Sequence, residues 1–140
     1  GPITFVSVHY ESESDAKWRR AQTETLLAAL PDGPVVLGGD LNTAALSGRP
    51  SFEVLNRPQA TEPCFDSFRT AGFEWACVNT GAPTIRAAPG KPVRYPLVRL
   101  DWLLLRELHG HAPQTWAALS DCGEYLSDHE LITARVTVPS

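Results

Sequence analysis

Apolar and polar positions along the chain predict strands and helices in turn. Ile3 to His9 carries Ile3, Phe5 and the β-branched Val6 and Val8, a strand pattern that ends on His9. Ser12, Ser14 and Asp15 then offer N-caps. Trp18, Ala21, Gln22, Thr25, Leu26, Ala29 and Leu30 recur at helical spacing until Pro31-Asp32-Gly33-Pro34 halts the pattern. Val35-Val36-Leu37 is a short continuous apolar run, hence a buried strand, and it leads straight into Gly38-Gly39-Asp40-Leu41-Asn42. Strand, helix, strand predicts an α/β crossover.

Beyond this unit the text is more broken. Ala44 to Pro63 is punctuated by Pro50, Pro58 and Pro63 and reads as connecting structure, with a helical turn or two over Phe52 to Leu55. Asp66 to Ala71 predicts a short helix closed by Gly72. Asn79 to Pro96, with four prolines and two glycines, predicts a long surface loop of the kind that often faces a substrate. Leu100 to Leu105 reads as a buried strand and Thr115 to Leu119 as a weaker one. Leu131 to Val138 alternates Ile132, Ala134, Val136 and Val138 as a last strand.

The chain has 140 residues, 43% of them hydrophobic and 20% charged, which suits one domain over 1–140. Twelve Lys and Arg against 16 Asp and Glu leave a net charge of −4, which argues against indiscriminate binding to polyanions. Cys64, Cys77 and Cys122 lack the close C-x-x-C spacing of zinc or redox sites and read as small buried apolar side chains. No apolar run is long enough to span a bilayer, and the first residues lack a signal-peptide pattern, so a soluble chain is expected, with the cytoplasm favoured. The sequence contains no Met. The expectation is therefore that it is not a primary translation product, and that Gly1-Pro2 is either a tag scar or a product of processing.

Chemistry-bearing residues gather where apolar strands end: His9, Asp40 with Asn42, Asp101, and the adjacent Asp128 and His129. Carboxylates at two or three such positions suit a hard divalent cation, which takes oxygen ligands and works beside phosphates. Two imidazoles alongside suit phosphoryl chemistry, one orienting or deprotonating a water and the other donating to phosphate oxygens as charge builds. Each position also has a plainer reading. Asp40-Leu41-Asn42 after two glycines is turn chemistry, Ser127-Asp128 is a cap or turn, and His9 is a strand-end histidine. Asp101, flanked by Leu100 and Trp102, would need a partner when buried, with Arg99 or Arg135 as the structural candidates.

Other features point less far. Arg86, Lys91, Arg94 and Arg99 give the long loop a basic character, and Trp75, Tyr95 and Trp116 could stack on bases, although solvated loops and core aromatics are the plainer accounts. His109-Gly110-His111 could bind a transition metal but reads as an exposed turn.

Val8-His9-Tyr10-Glu11-Ser12, Arg19-Arg20-Ala21-Gln22, Gly38-Gly39-Asp40-Leu41-Asn42-Thr43, Arg99-Leu100-Asp101-Trp102 and Ser127-Asp128-His129 follow one another in the order seen in endonuclease/exonuclease/phosphatase proteins. From about Ile3 to Val138 the chain resembles the C-terminal half of that deoxyribonuclease-like domain. The resemblance implies half of a four-layer α/β/β/α sandwich, with one mixed β-sheet, helices on its outer face, and an apolar inner face left open. It implies hydrolysis of phosphate esters with Mg²⁺ or Mn²⁺, water attacking phosphorus. In that scheme Asp40 positions or activates the water near the metal, Asn42 holds a phosphate oxygen, and Asp128 is a metal-side carboxylate. His129 contacts the scissile phosphate with its tautomer fixed by Asp101, His9 donates a second hydrogen bond, and Arg19 and Gln22 are structural.

The same resemblance implies a metal-binding glutamate and a phosphate-contacting asparagine from an N-terminal portion expected to be absent; Glu11 does not fit the pattern of that glutamate. The expected partners are therefore a phosphate-ester substrate, with nucleic acid and phospholipid head groups both open, and either the missing N-terminal half or a second copy to cover the apolar face. The alternative is a catalytically silent fragment or binding module that needs such a partner.

Overall fold

The computed structural model describes residues 1–43, 62–86 and 98–139. Strand β1 (Thr4–His9) alternates as its sequence does, with Val6 and Val8 packed inward while Phe5, Ser7 and His9 face away. Helix α1 (Ala16–Ala29) starts where Asp15 accepts a hydrogen bond from the Trp18 N–H at 2.8 Å and stops before Pro31. Its inner stripe is partly polar. Thr23 meets the Tyr10 hydroxyl at 2.8 Å, and Arg19 forms a two-pronged pair with Glu62 at 2.7 and 3.0 Å, all of them buried.

Strand β2 (Val35–Asp40) runs parallel to β1, so the predicted apolar run continues through both glycines to Asp40. Helix α2 (Cys64–Thr70) packs on α1 and is followed by the short strand β3 (Phe73–Glu74) and a 3₁₀ turn (Ala76–Val78). Strand β4 (Asp101–Arg106) inserts between β2 and β3, antiparallel to both, giving one mixed sheet in the order β1-β2-β4-β3. Under the helices lies an aromatic core in which Phe65 meets Trp102 edge-on at 4.7 Å and Trp75 at 5.0 Å.

A second, two-stranded antiparallel sheet of β5 (His109–Trp116) and β6 (Leu131–Thr137) adds to the single sheet expected. The His109-Gly110-His111 stretch is thus strand rather than turn. A Cβ at Gly110 would lie 2.0 Å from Val78 Cγ1 and 2.7 Å from Leu105 Cδ1, so β5 lies directly against the mixed sheet and the 3₁₀ turn. This covers the β4 end of the inner face, where Leu105 is buried, and leaves Phe5 exposed at the β1 end.

The loop expected over 79–96 is corrected where it is described. Asn79 and Thr84 are buried, and both are bonded to β4 and its N-terminal approach. The edge of β4 away from β2 is finished position by position: Leu105 pairs with Glu74, Leu103 exchanges hydrogen bonds with the Asn79 amide at 2.7 and 2.9 Å, and the Asp101 N–H donates to the Thr84 hydroxyl at 3.0 Å. Side chains here satisfy main-chain groups that another strand would otherwise take. Of the cysteines only Cys64 is buried, its thiol pushed up to about 12 by burial; Cys77 and Cys122 are exposed, contrary to expectation. The expected turn over 52–55, and Lys91, Arg94 and Tyr95, lie outside the described residues. Among the described residues no helix is long and apolar enough to cross a membrane.

Candidate active site

Strand register places the acids together. His9 on β1 is paired with Asp40 on β2, and Asp40 with Asp101 on β4, so the three side chains form one row across the sheet. Gly39 allows β2 to reach this row: its φ is +145°, and a Cβ there would sit 1.9 Å from the Val8 carbonyl oxygen. Beyond the strand, Asn42 (φ +48°) turns back, so that its N–H donates to Asp40 Oδ1 at 2.7 Å while its side-chain amide donates to the Tyr10 carbonyl at 2.7 Å. The turn expected at Asp40 to Asn42 is present and also fixes both side chains.

The segment before β6 closes the site. His129 Nδ1 lies 2.8 Å from Asp101 Oδ2, so Asp101 is partnered by this imidazole rather than by Arg99 or Arg135. Arg99 is buried and turns away to Asn79 and the Ala82 carbonyl, its pKa lowered by burial to about 10. His9 Nε2 stands 3.6 Å from Asp40 Oδ2, an ion-pair distance rather than a hydrogen bond, and the His9 side chain is 75% exposed, free to reorient toward a ligand. Asp128 is exposed; its backbone carbonyl accepts from the Arg86 N–H at 2.8 Å, and its charge acts on His129.

Within the row and its closing segment, Asp40 and His129 are displaced from their ordinary pKa values. Burial raises Asp40, with the nearby Asp101 charge adding to the shift, against the opposing pull of the Asn42 N–H and the two imidazoles. For His129, burial pulls downward, but the Asp101 hydrogen bond and the charges of Asp101, Asp40 and Asp128 outweigh it and leave the imidazole raised. With Nδ1 committed to Asp101, Nε2 is the nitrogen left for a ligand.

Among the described residues no three His, Cys, Asp or Glu side chains are grouped so as to hold a metal ion. Asp40 and Asp101 are already engaged by Asn42 and by His129, so these residues do not by themselves fit a divalent-cation centre.

Other expected contacts fall elsewhere. Arg86 pairs with Glu130 and stacks over Tyr125 at 5.2 Å, so with Arg99 buried neither arginine leaves a free cation on a loop. Trp75 is core. Trp116 is half exposed and donates to the Thr133 hydroxyl at 3.1 Å. Arg19 and Gln22 lie on α1; Arg19 serves the core, and Gln22 lines a groove with His9. Sequence reasoning missed Thr43, whose hydroxyl donates to the Arg99 carbonyl at 2.7 Å and accepts from Trp102 Nε1 at 3.0 Å, and it missed Thr84. Lone threonines among loop residues carry no periodic signal that would have found them.

Mixed sheet, outer helices and second sheet together are the α/β fold of endonuclease/exonuclease/phosphatase structures. A structure of such a protein from Bacteroides thetaiotaomicron superposes with TM-score 0.59 at 13% identity, over 95% of this chain and 48% of that one. Danio rerio TDP2 in complex with a single-strand DNA product gives TM-score 0.58 at 23% identity, over 95% and 56%. A Bacteroides thetaiotaomicron mannosyl-6-phosphatase gives 0.57 at 14%, over 94% and 49%. The chain therefore spans about half the length of the solved structures it matches. No protein-family model and no curated protein matches the sequence.

Proposed function

We propose that this chain carries the larger part of the active site of a phosphoric ester hydrolase, as the C-terminal portion of an endonuclease/exonuclease/phosphatase domain whose N-terminal portion, or a second copy, completes it. The observation that carries the reading is the Asp101–His129 pair standing beside Asp40 in one row with His9. Asp40, partly desolvated and raised, accepts a proton from the attacking water as the new P–O bond forms. His129, kept protonated to higher pH by its acid partners, donates from Nε2 to a phosphate oxygen while the bond to the leaving oxygen breaks. His9, and the one Nδ2–H of Asn42 not given to the Tyr10 carbonyl, supply further donors. Asp128 adds negative charge beside His129 and is the carboxylate that would hold a cation if outside groups supplied the remaining ligands. Mg²⁺ or Mn²⁺ is the cation this reading expects.

The matched structures include one bound to single-strand DNA and one named a mannosyl-6-phosphatase, so the proposed substrate stays at the level of a phosphate ester. The test is hydrolysis of bis(p-nitrophenyl) phosphate with Mg²⁺ or Mn²⁺, the complementary half of such a domain being supplied in trans. Asp40→Ala and His129→Ala should each lower turnover by roughly 100-fold or more. Unchanged turnover in both variants overturns the assignment. A second reading, a silent half that only completes a partner, is favoured by the lack of a three-ligand cluster among the described residues. A defined complex without hydrolysis, and without Mg²⁺ or Mn²⁺ binding in calorimetry, selects it.

A further inference from the structure

Asp101 and His129 come from separate segments, 28 positions apart, yet they meet at 2.8 Å. What brings them together is a third segment. Thr84 is fully buried, and its hydroxyl oxygen accepts from two successive main-chain donors, the Leu100 N–H at 2.9 Å and the Asp101 N–H at 3.0 Å. Its own N–H donates to the Val98 carbonyl at 3.0 Å, so side chain and backbone both grip the approach to β4. On the other side, its carbonyl accepts from the Glu130 N–H at 2.8 Å, Ile85 bridges to His129, and the Arg86 N–H donates to the Asp128 carbonyl at 2.8 Å. One residue therefore holds the backbone of Asp101 through its hydroxyl and the backbone next to His129 through its carbonyl.

We infer that Thr84 is a positioning residue for the Asp101–His129 pair: its hydroxyl fixes the start of β4 so that the Asp101 carboxylate lies within reach of the imidazole. The inference rests on the hydrolase reading only for its catalytic meaning; the geometry stands without it. Exchange of the hydroxyl for a methyl in Thr84→Val keeps shape and volume but leaves two buried N–H groups without an acceptor. The start of β4 then has to shift to find other partners, and the carboxylate moves with it. Thr84→Ser keeps the acceptor and loses only a methyl.

The experiment reads the pair directly, by proton NMR of the downfield His129 Nδ1–H signal in the full chain. The signal should be present in the parent and in Thr84→Ser. It should be lost to solvent exchange in Thr84→Val, with the methyl spectrum still dispersed. An unchanged signal in folded Thr84→Val overturns the inference, as does loss of the signal in folded Thr84→Ser. Should Thr84→Val not fold, Thr84→Cys, whose sulfur is a weak acceptor, takes its place: a weakened signal supports the role, and a signal equal to that of Thr84→Ser overturns it. In the completed enzyme, Thr84→Val should lower kcat about tenfold or more with KM unchanged, and Thr84→Ser should restore it. An inactive parent with the expected NMR pattern defeats the hydrolase reading and leaves the positioning role intact.

Discussion

Asp40 shows how a residue can serve chemistry at the expense of the fold. Its carboxyl is raised by burial, which means that the folded chain holds the proton more tightly than the unfolded chain does. Above the raised value the charged form costs stability. Asp40→Asn keeps an oxygen for the Asn42 N–H and removes that cost, so at neutral pH it should raise the urea midpoint while hydrolysis falls. His129 has the opposite sign, since a base whose pKa is raised by its acid partners favours the folded state while protonated. Its contribution is fully present below the ordinary histidine value of about 6.5 and is lost as pH rises through the raised folded value. The stability difference between the parent and His129→Gln, measured by urea titration across roughly pH 5 to 8, should therefore be largest at the acid end and shrink upward. Both residues were legible in the sequence because an acid or imidazole next to an apolar run needs an explanation. The motif resemblance implied the Asp101–His129 pairing, whereas Arg99, the structural counterion expected from its nearness in sequence, spends its guanidinium on Asn79 and the Ala82 carbonyl instead.

At the level of elements, the first strand, the long helix and the second strand were readable because their periodicities are unbroken. Strand β5 was read only at its end, as a weak strand over Thr115 to Leu119, because Gly110 and Pro113 replace the apolar residues that would have marked its start at His109; the reason for the glycine is the closeness of Val78 and Leu105. The 79–86 segment was read as surface because of its prolines and glycines; Asn79 and Thr84 within it are buried because they spend their polar atoms on β4 and its approach. Helix α1 follows the same logic with a charge. Arg19 is buried with Glu62 and also donates to the Ser14 carbonyl at 2.5 Å, so removing one partner leaves the other charged in the core. Arg19→Met should cost about 3–5 kcal/mol in urea denaturation, and Arg19→Met with Glu62→Leu should recover most of it.

Taken whole, the chain matches about half the length of solved structures that share its fold. The candidate site lies at one end of the mixed sheet, where β1 and β2 finish and β4 begins, and residues 128–129 reach it from the approach to β6. The motif order made this gathering legible, since each motif sits at a strand end. The register that sets His9, Asp40 and Asp101 in one row could not be read from spacing, because it depends on how far β2 slides against its two neighbours. Exposed Leu126, Leu131 and Val138 near or on β6, exposed Phe5 on the face of β1 turned away from α1, and exposed Trp18 on α1 are apolar surface of the kind that interfaces use.

The finished outer edge of β4 gives the mixed sheet a handed growth. Asn79 and Thr84 have taken donors and acceptors on one flank, whereas β1 on the opposite flank has no strand beside it among the described residues. Lateral recruitment of another chain is thus blocked along the Asp101–Leu103 stretch of β4 and limited to two residues at β3, so the six-residue β1 is the longer open margin. Two copies joined there would consume each other's vacant margin and stop at a pair, where a sheet open on both flanks could stack into a fibre.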